Sequence, residues 1–328
     1  MHQLVQQSAI ALALLALFSL VIGWVMAGRV LRPVREITET ARRLSERNLH
    51  ERIAMQGPDD ELRELADTFD AMLSRLASAF ALQRDFVANA SHELRTPLTI
   101  IRTDLDVTMA DPDASITDYQ AMAVTIHDAT IRSERLIEAL LTLARTDGPV
   151  DRTALDLGEV VQTTAGPLLD LRASGLRIDR SLAPAPVLGD RSLLERLVTN
   201  LVENAIRYNG PGGWLALETQ WRGDQSVLTV ANSGDQIQPN EVPQLFQRFY
   251  RRDPSRNRAT GGAGLGLSIV EAVVRAHGGQ VEARALARGG LCVTVALPAA
   301  PDVPDIGRLA PSKREINGQL TTPLTGVS

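Results

Sequence analysis

Ser91-His92-Glu93-Leu94-Arg95-Thr96-Pro97-Leu98 lies within a long helical stripe, and its reading decides how the rest of the chain is organised. Phe86, Ala90, Leu94, Leu98, Ile101, Leu105 and Met109 recur three and four residues apart, the spacing of one apolar helix face. His92 is two residues from both Ala90 and Leu94, hence about 200° from each around the axis, and is predicted to face outward. A neutral imidazole so placed is a competent nucleophile near neutral pH. Glu93 is positioned to take the proton leaving the other ring nitrogen. Thr96, four residues on, shares the face of His92 and offers a hydroxyl that could orient a water. Pro97 removes a backbone donor just past this point. Taken alone, an exposed helical histidine is more often a solvated surface residue.

Working outward, Asp111-Pro112-Asp113 ends the stripe and a second helix is expected from about Ile116 to Arg145. Its stripe reads Ile116, Tyr119, Ala123, Ile126, Ser133, Ile137, Leu140 and Ala144. A hairpin with one apolar stripe on each arm buries them best by pairing with a copy of itself in a four-helix bundle. From Leu155 to Pro298 the texture becomes strand runs such as Val227–Ala231 and Leu291–Ala296, glycine-rich loops and isolated helices, which indicates an α+β domain. From Ala299 to Ser328 prolines are frequent and periodicity is absent, so a flexible tail is expected.

That α+β region carries the second set of chemical groups. Asn200 and Asn204 stand at i and i+4 on one predicted helix, where a neutral oxygen suits a Mg²⁺ completed by phosphates, and Arg207 follows with positive charge. Val230-Ala231-Asn232-Ser233-Gly234-Asp235-Gln236-Ile237 is a strand end turning through a glycine. Leu245-Phe246-Gln247-Arg248-Phe249-Tyr250-Arg251 precedes a basic run with Arg252, Arg256 and Arg258. Gly261-Gly262-Ala263-Gly264-Leu265-Gly266 then opens a helix, an arrangement that lets backbone amides approach a phosphate. Each piece alone reads as something ordinary: an Asn pair, a β-turn, a solvated charge run, a glycine-rich loop.

In their order they resemble the sensor histidine kinases of two-component systems, over roughly Arg29 to Pro298. Ser91–Leu98 resembles the phosphoacceptor box, which implies His92 as the phosphorylated residue, Glu93 as the assisting acid and Thr96 as support for dephosphorylation. The Asn200–Tyr208 segment resembles the N box, implying Asn204 on Mg²⁺ and Asn200, Arg207 and Tyr208 near ATP. Related ATPases of the gyrase and chaperone type carry a glutamate where Asn200 falls, so its absence favours transfer to histidine over hydrolysis. Asn232 and Gly234 fall in the adenine loop, and Gly262, Gly264, Leu265 and Gly266 in the glycine-rich G2 box. Two positions depart from the adenine-loop pattern Asp-x-Gly-x-Gly. Asn232 is a neutral acceptor in place of a carboxylate, and Gln236 replaces a glycine, where a positive φ would be strained.

Toward the N-terminus, the uncharged run Gln3 to Gly28 is long enough to span a bilayer once. Arg29, Arg32 and Arg35 follow at once, which by the positive-inside rule puts the body of the chain in the cytoplasm. A cleaved signal peptide is the competing reading, opposed by the missing basic leader and the length of the apolar run. Pro33 is expected to open a short helix to about Asn48, Gly57-Pro58-Asp59-Asp60 to break it, and a heptad helix to follow through Leu62, Leu65, Phe69, Met72, Leu76 and Phe80. This resembles the HAMP signal-relay module; an ordinary coiled-coil linker is the alternative, and both imply a parallel dimer.

The expected organisation is therefore multidomain: a short N-terminal segment (1–7), a single transmembrane helix (8–28), a helical HAMP coiled coil (29–82), a dimeric four-helix bundle formed by a helical hairpin (83–148), an α+β sandwich ATP-binding domain (153–298) and a tail (299–328). The resemblance implies ATP and Mg²⁺, a homodimer, a response-regulator receiver domain as acceptor, and single-pass residence in the bacterial cytoplasmic membrane. The formal charge of −5 gives no global attraction to nucleic acid, and the single cysteine, Cys292, excludes an intrachain disulfide. With about seven residues before the apolar run, the input is expected within the membrane or from a partner, unless the true start lies upstream. Two rivals stay open: a nucleotide-impaired scaffold or phosphatase-only regulator, motivated by Asn232 and Gln236, and a hydrolytic ATPase whose helices merely dimerise it.

Overall fold

The computed structural model describes residues 2–43, 52–54, 61–146, 148–173, 175–252 and 263–300. The chain divides into two compact units, Met1–His92 and Glu93–Ser328. In the first, α1 runs from His2 to Arg43 as one helix of 42 residues. Its Ile10–Gly28 segment has a mean hydropathy of 2.6 and is wholly exposed in the isolated chain, the one helix among the described residues apolar enough to cross a membrane. The predicted division of this region into a membrane helix and a helix opening at Pro33 is corrected: the helix passes through Pro33 unbroken. A proline costs one internal hydrogen bond, and no glycine or turn residue after it helps to stop the helix. Asn48 and the Gly57–Asp60 break lie outside the described residues.

Helix α2, Glu61–Ala110, joins the predicted second coiled-coil helix and the His92 helix into one element of 50 residues. Within the first unit the Asp70 carboxylate accepts from the Ile53 amide at 2.9 Å and the Ala54 amide at 3.0 Å, holding the connector against α2. Along α2 the first unit buries Ala66 and Leu73, whereas Leu65, Met72 and Leu76 of the predicted stripe stay exposed.

The second unit starts partway along α2. After the Asp111–Asp113 turn, Ser115 and Asp118 open α3, Ile116–Thr146: the Ser115 amide and hydroxyl both donate to the Asp118 carboxylate, and the Asp118 amide donates back to the hydroxyl. α3 lies against α6 and buries Ala129, Leu136, Ala139 and Leu143. This is not the predicted stripe, whose Ile116, Tyr119 and Ile137 remain exposed.

The α+β region is a two-layer sandwich. β1 (Thr153–Asp156) pairs antiparallel with β3 (Pro186–Gly189). The main sheet orders β2 (Arg177–Leu182), β4 (Trp214–Arg222), β5 (Gln225–Asn232), β7 (Leu291–Pro298) and β6 (Gln280–Ala285), with only β2 and β4 parallel. Helices α4 (Leu157–Arg172), α5 (Arg191–Arg207) and α6 (Gly266–Ala276) form the second layer, with α5 between the other two. The helical spacing of Leu194, Leu197 and Leu201 on α5 and the strand alternation of Leu215 and Leu217 on β4 bury these side chains completely or nearly so. Each such burial stabilises by about 1.5–3 kcal/mol relative to exposure. Cys292 is a buried free thiol in β7. Pairing continues past the expected end at Pro298: Ala299 bridges Val187, and the Ala300 amide donates to the Pro186 carbonyl.

Candidate active site

Helix α5 is started by Asp190, whose carboxylate accepts from the Ser192 amide at 2.8 Å, the Ser192 hydroxyl at 2.6 Å and the Leu193 amide at 3.2 Å. Burial pushes this carboxyl up, but the Ser192 hydroxyl, the two amides and the charge of Arg145 together hold it below the usual aspartate range. The helix carries its apolar side to the sheet and presents Asn200 and Asn204 on another side, as their spacing requires. The Asn200 amide nitrogen donates back to the Arg196 carbonyl at 2.8 Å. Gly266, the first residue of α6, sits over the pair: a Cβ there would come within 2.9 Å of Asn204 Nδ2 and 3.3 Å of Asn200 Oδ1. No side chain caps the start of α6, so its leading N–H groups remain for a ligand beside the two asparagines.

The opposite wall is the loop after β5. Asn232 is only 7% exposed, and its amide nitrogen donates to the Ser233 carbonyl at 2.8 Å, which orients the group and leaves Oδ1 as the acceptor. Ser233 and Asn209, which sequence reasoning did not single out, pin this loop. The Ser233 hydroxyl donates to Asn209 Oδ1 at 2.7 Å and accepts from the Trp214 amide at 2.8 Å, while the Asn209 amide nitrogen donates to the Trp214 carbonyl at 2.9 Å. Short polar residues flanking glycines are the only sequence signal for such a knot. A Cβ on Gly234 would collide with the Tyr208 carbonyl, so a glycine is needed there for close approach. The strain anticipated at Gln236 is absent, because among the described non-glycine residues only Ala54 and Phe249 have positive φ.

Phe249, at φ 64°, donates its amide to the Gly264 carbonyl at 2.9 Å, joining the two flanks of the arginine-rich segment. Gly264 itself has φ +72°, and a Cβ would approach the Phe249 and Tyr250 backbone to 2.8 Å. Leu265 points its side chain into the core, 3% exposed, so only its backbone faces the loop. Gly262, Arg256 and Arg258 lie outside the described residues.

These elements enclose a cavity of about 1480 Å³ that holds Asn200, Asn204, Arg207, Tyr208, Asn232 and Gly266 along its wall. Helical-hairpin residues of the same unit, Glu93, Thr96, Arg132 and Arg135, line it too. His92 is the last residue of the first unit; it is exposed on α2, as its outward-facing prediction requires. His277, expected at a helix end, is the C-cap of α6 and is buried.

Residues 25–78 match the HAMP domain, residues 82–149 the His Kinase A (phospho-acceptor) domain, and residues 189–301 the histidine kinase-, DNA gyrase B- and HSP90-like ATPases. The chain is 45% identical over 305 residues to the sensor protein CutS of Streptomyces coelicolor, covering 91% of this chain and 72% of that protein. It is 33% identical over 303 residues to the signal transduction histidine-protein kinase BaeS of Escherichia coli K12, covering 91% of this chain and 64% of BaeS. In fold it resembles the Acinetobacter baumannii histidine kinase AdeS, with a TM-score of 0.50 at 24% identity over 63% of this chain and 97% of that one. With three such domains in this order and a relative of that identity matched over most of its length, the chain belongs to the sensor histidine kinases, protein-histidine kinases with an ATP-binding domain.

Proposed function

We propose that ATP bound in the α5–α6 cavity phosphorylates His92, and that the phosphate then passes to an aspartate on the receiver domain of a response regulator. The single observation that carries the nucleotide part is the placement of Gly266 and the uncapped start of α6 directly over Asn200 and Asn204. Amide donors and neutral oxygens meet there at the wall of the cavity. Asn204 suits a Mg²⁺ ion completed by phosphate oxygens, and no cluster of acidic, histidine or cysteine ligands competes for it among the described residues. When bound, that ion supplies charge neutralisation for the polyphosphate.

In the transfer step the unprotonated imidazole nitrogen of His92 bonds to the γ-phosphorus as the bond to the ADP oxygen breaks. The proton on the other ring nitrogen goes to Glu93. Arg207 offsets negative charge, Tyr208 borders the nucleotide, and Asn232 Oδ1 accepts from the adenine amino group. Gly234, Gly264 and the Leu265 backbone allow the chain to approach closely, and Gly262 is assigned with them from its motif. Thr96 orients water for the reverse hydrolysis of phosphohistidine, the phosphatase activity named for MprB of Mycobacterium avium, 33% identical to this chain.

The exposed apolar side chains Leu98 and Met109 on α2 and Ile116, Tyr119 and Ile137 on α3 support a homodimer closing a four-helix bundle. Ile10–Gly28 supports a single-pass anchor in the bacterial cytoplasmic membrane, with the catalytic part on the cytoplasmic side. The domain limits proposed from the sequence are 8–28, 29–82, 83–148 and 153–298, and strand pairing in the last runs on to Ala300.

Incubation with γ-labelled ATP tests the assignment. The full chain in detergent should acquire an acid-labile label that His92→Gln and Asn204→Ala each abolish, and should pass it to a receiver domain. Label that persists in His92→Gln would place the acceptor elsewhere. Steady phosphate release without any label would favour a hydrolytic ATPase.

A further inference from the structure

Two arginines of the hairpin line the nucleotide cavity with no ion pair or hydrogen bond among the described residues, and we propose that Arg132 and Arg135 stabilise the phosphoryl group as it leaves ATP. The inference rests on the nucleotide and His92 assignments above. Both side chains line the same cavity as Asn200, Asn204 and Asn232, although they belong to α3 and not to the ATP-binding domain. They stand three residues apart and so share a helix face. Their position along the hairpin is equally specific: Glu93 on α2 and Ser133 on α3 lie the same number of residues from the ends of the Asp111–Ser115 turn. In an antiparallel hairpin of equal helical rise, Arg132 and Arg135 therefore flank the level of Glu93.

Among the described residues three cavity-lining arginines on helices have no partner: Arg207, on α5 of the ATP-binding domain, and Arg132 and Arg135, the two that the hairpin carries. The others are neutralised: Arg172 pairs with Glu203 at 2.6 Å, and Arg196 with Glu138 at 3.1 Å. Arg252 sits 3.7 Å from Glu241. Arg132 and Arg135 have no ion pair or hydrogen bond among the described residues. The Arg196–Glu138 pair is itself informative, because Glu138 is one turn beyond Arg135 on α3 and Arg196 is one turn before Asn200 on α5. It ties the hairpin to the helix that carries the asparagines, and the two guanidinium groups line the same cavity as Asn200 and Asn204. Burial of Leu136 and Ala139 on the same helix fixes the backbone that carries them.

A guanidinium is permanently charged, planar and matched to phosphate oxygens. Phosphoryl transfer spreads negative charge over the oxygens in flight, so its catalysis is mainly positioning and charge stabilisation. Arginines carried by the acceptor hairpin can act on transfer while contributing little to initial nucleotide binding, which the ATP-binding domain performs. They thereby link docking of the two parts to chemistry.

Arg132→Ala, Arg135→Ala, the double variant and the corresponding Arg→Lys variants of the full chain would be compared in three measurements: affinity for a fluorescent ATP analogue, the first-order rate of His92 labelling at saturating ATP, and oligomeric state. For the double alanine variant we expect labelling to slow by on the order of 10²-fold, the loss typical of removing a preorganised charge donor. Nucleotide affinity should change less than about threefold, while the dimer persists and lysine restores part of the rate. An unchanged labelling rate overturns the proposal. So does a parallel loss of nucleotide affinity, which would make the pair ground-state binding groups. Wild-type label that survives His92→Gln removes the acceptor assignment and this proposal with it, and that result is independent of any arginine variant.

Discussion

The Asp190 amide donates to His277 Nε2 at 3.1 Å, joining the start of α5 to the end of α6. The other ring nitrogen, Nδ1, is 2.8 Å from the Val273 carbonyl, so the ring is the neutral Nδ1–H tautomer, accepting on one side and donating on the other. Gly189 makes room for it, since a Cβ there would approach the ring to 2.8 Å. Arg152, in the segment joining hairpin and sandwich, donates to the neighbouring Ala276 carbonyl at 3.0 Å. The two helices that bracket the nucleotide cavity are therefore aligned by a residue that touches neither nucleotide nor acceptor.

His277 should make the stability of the sandwich pH-dependent. Burial pushes its pKa down, and the nearby Arg152 charge adds to this, while the Val273 carbonyl and Asp190 oppose it; the net value lies below the ordinary 6.5. The unfolded state thus takes up the proton first. The stabilisation is complete above pH 6.5 and is lost as pH falls through the lowered native value. Urea unfolding of the full chain at a series of pH values should show this loss in the wild type and its absence in His277→Ala. That variant should be less stable at neutral pH by about 3 kcal/mol, from the unpaired Asp190 amide and Val273 carbonyl and the space left behind.

Gly266→Ala should fold and bind nucleotide poorly. The added methyl meets the ends of the Asn204 and Asn200 side chains, and the Asn204 amide can swing away, so the thermal midpoint should stay within a few degrees of wild type. Displacing that amide removes the oxygen offered to Mg²⁺ and crowds the start of α6. Titration with a fluorescent ATP analogue should show at least about a tenfold loss, equivalent to about 1.4 kcal/mol.

Asn232→Ala should reduce selectivity for adenine. Removing Oδ1 deletes an acceptor held in place by the 2.8 Å bond to the Ser233 carbonyl. The preference for ATP over GTP should shrink by about tenfold, as measured by competition. Asn232→Asp should not improve the site, because a carboxylate cannot donate to Ser233 and would face its carbonyl. A tighter-binding Asp variant would show that this bond does not orient the group.

Asp70→Ala should loosen the connector in the first unit. The Ile53 and Ala54 amides both end on the Asp70 carboxylate, and Ala54 is held there at positive φ. Loss of a charge-assisted bond costs about 1.5–3 kcal/mol, so hydrogen exchange at these two amides should quicken by about tenfold or more. Exchange in the β5–β7 ladder should not change.

Local chemistry in the sequence was enough to single out most of the polar residues that line the cavity and to place His92 at an exposed helical position. Helical spacing set Asn200 and Asn204 on one face and turned His92 outward, and glycines at 234 and 264 marked backbone approaches that admit no side chain. These are short-range properties, set by a few neighbouring residues. Burial was less legible, because it depends on what lies opposite. The stripes on α2 and α3 were read correctly as apolar, yet within one chain the buried residues are Leu136, Ala139 and Leu143, since α6 packs on that side. Nor could one strand of sequence show that Asn209 and Ser233, separated by β4 and β5, bond to each other, or that His277 reaches Asp190. Those partners are brought together by sheet register and helix packing, and only the tertiary structure decided that Arg132 and Arg135 share a cavity with Asn204.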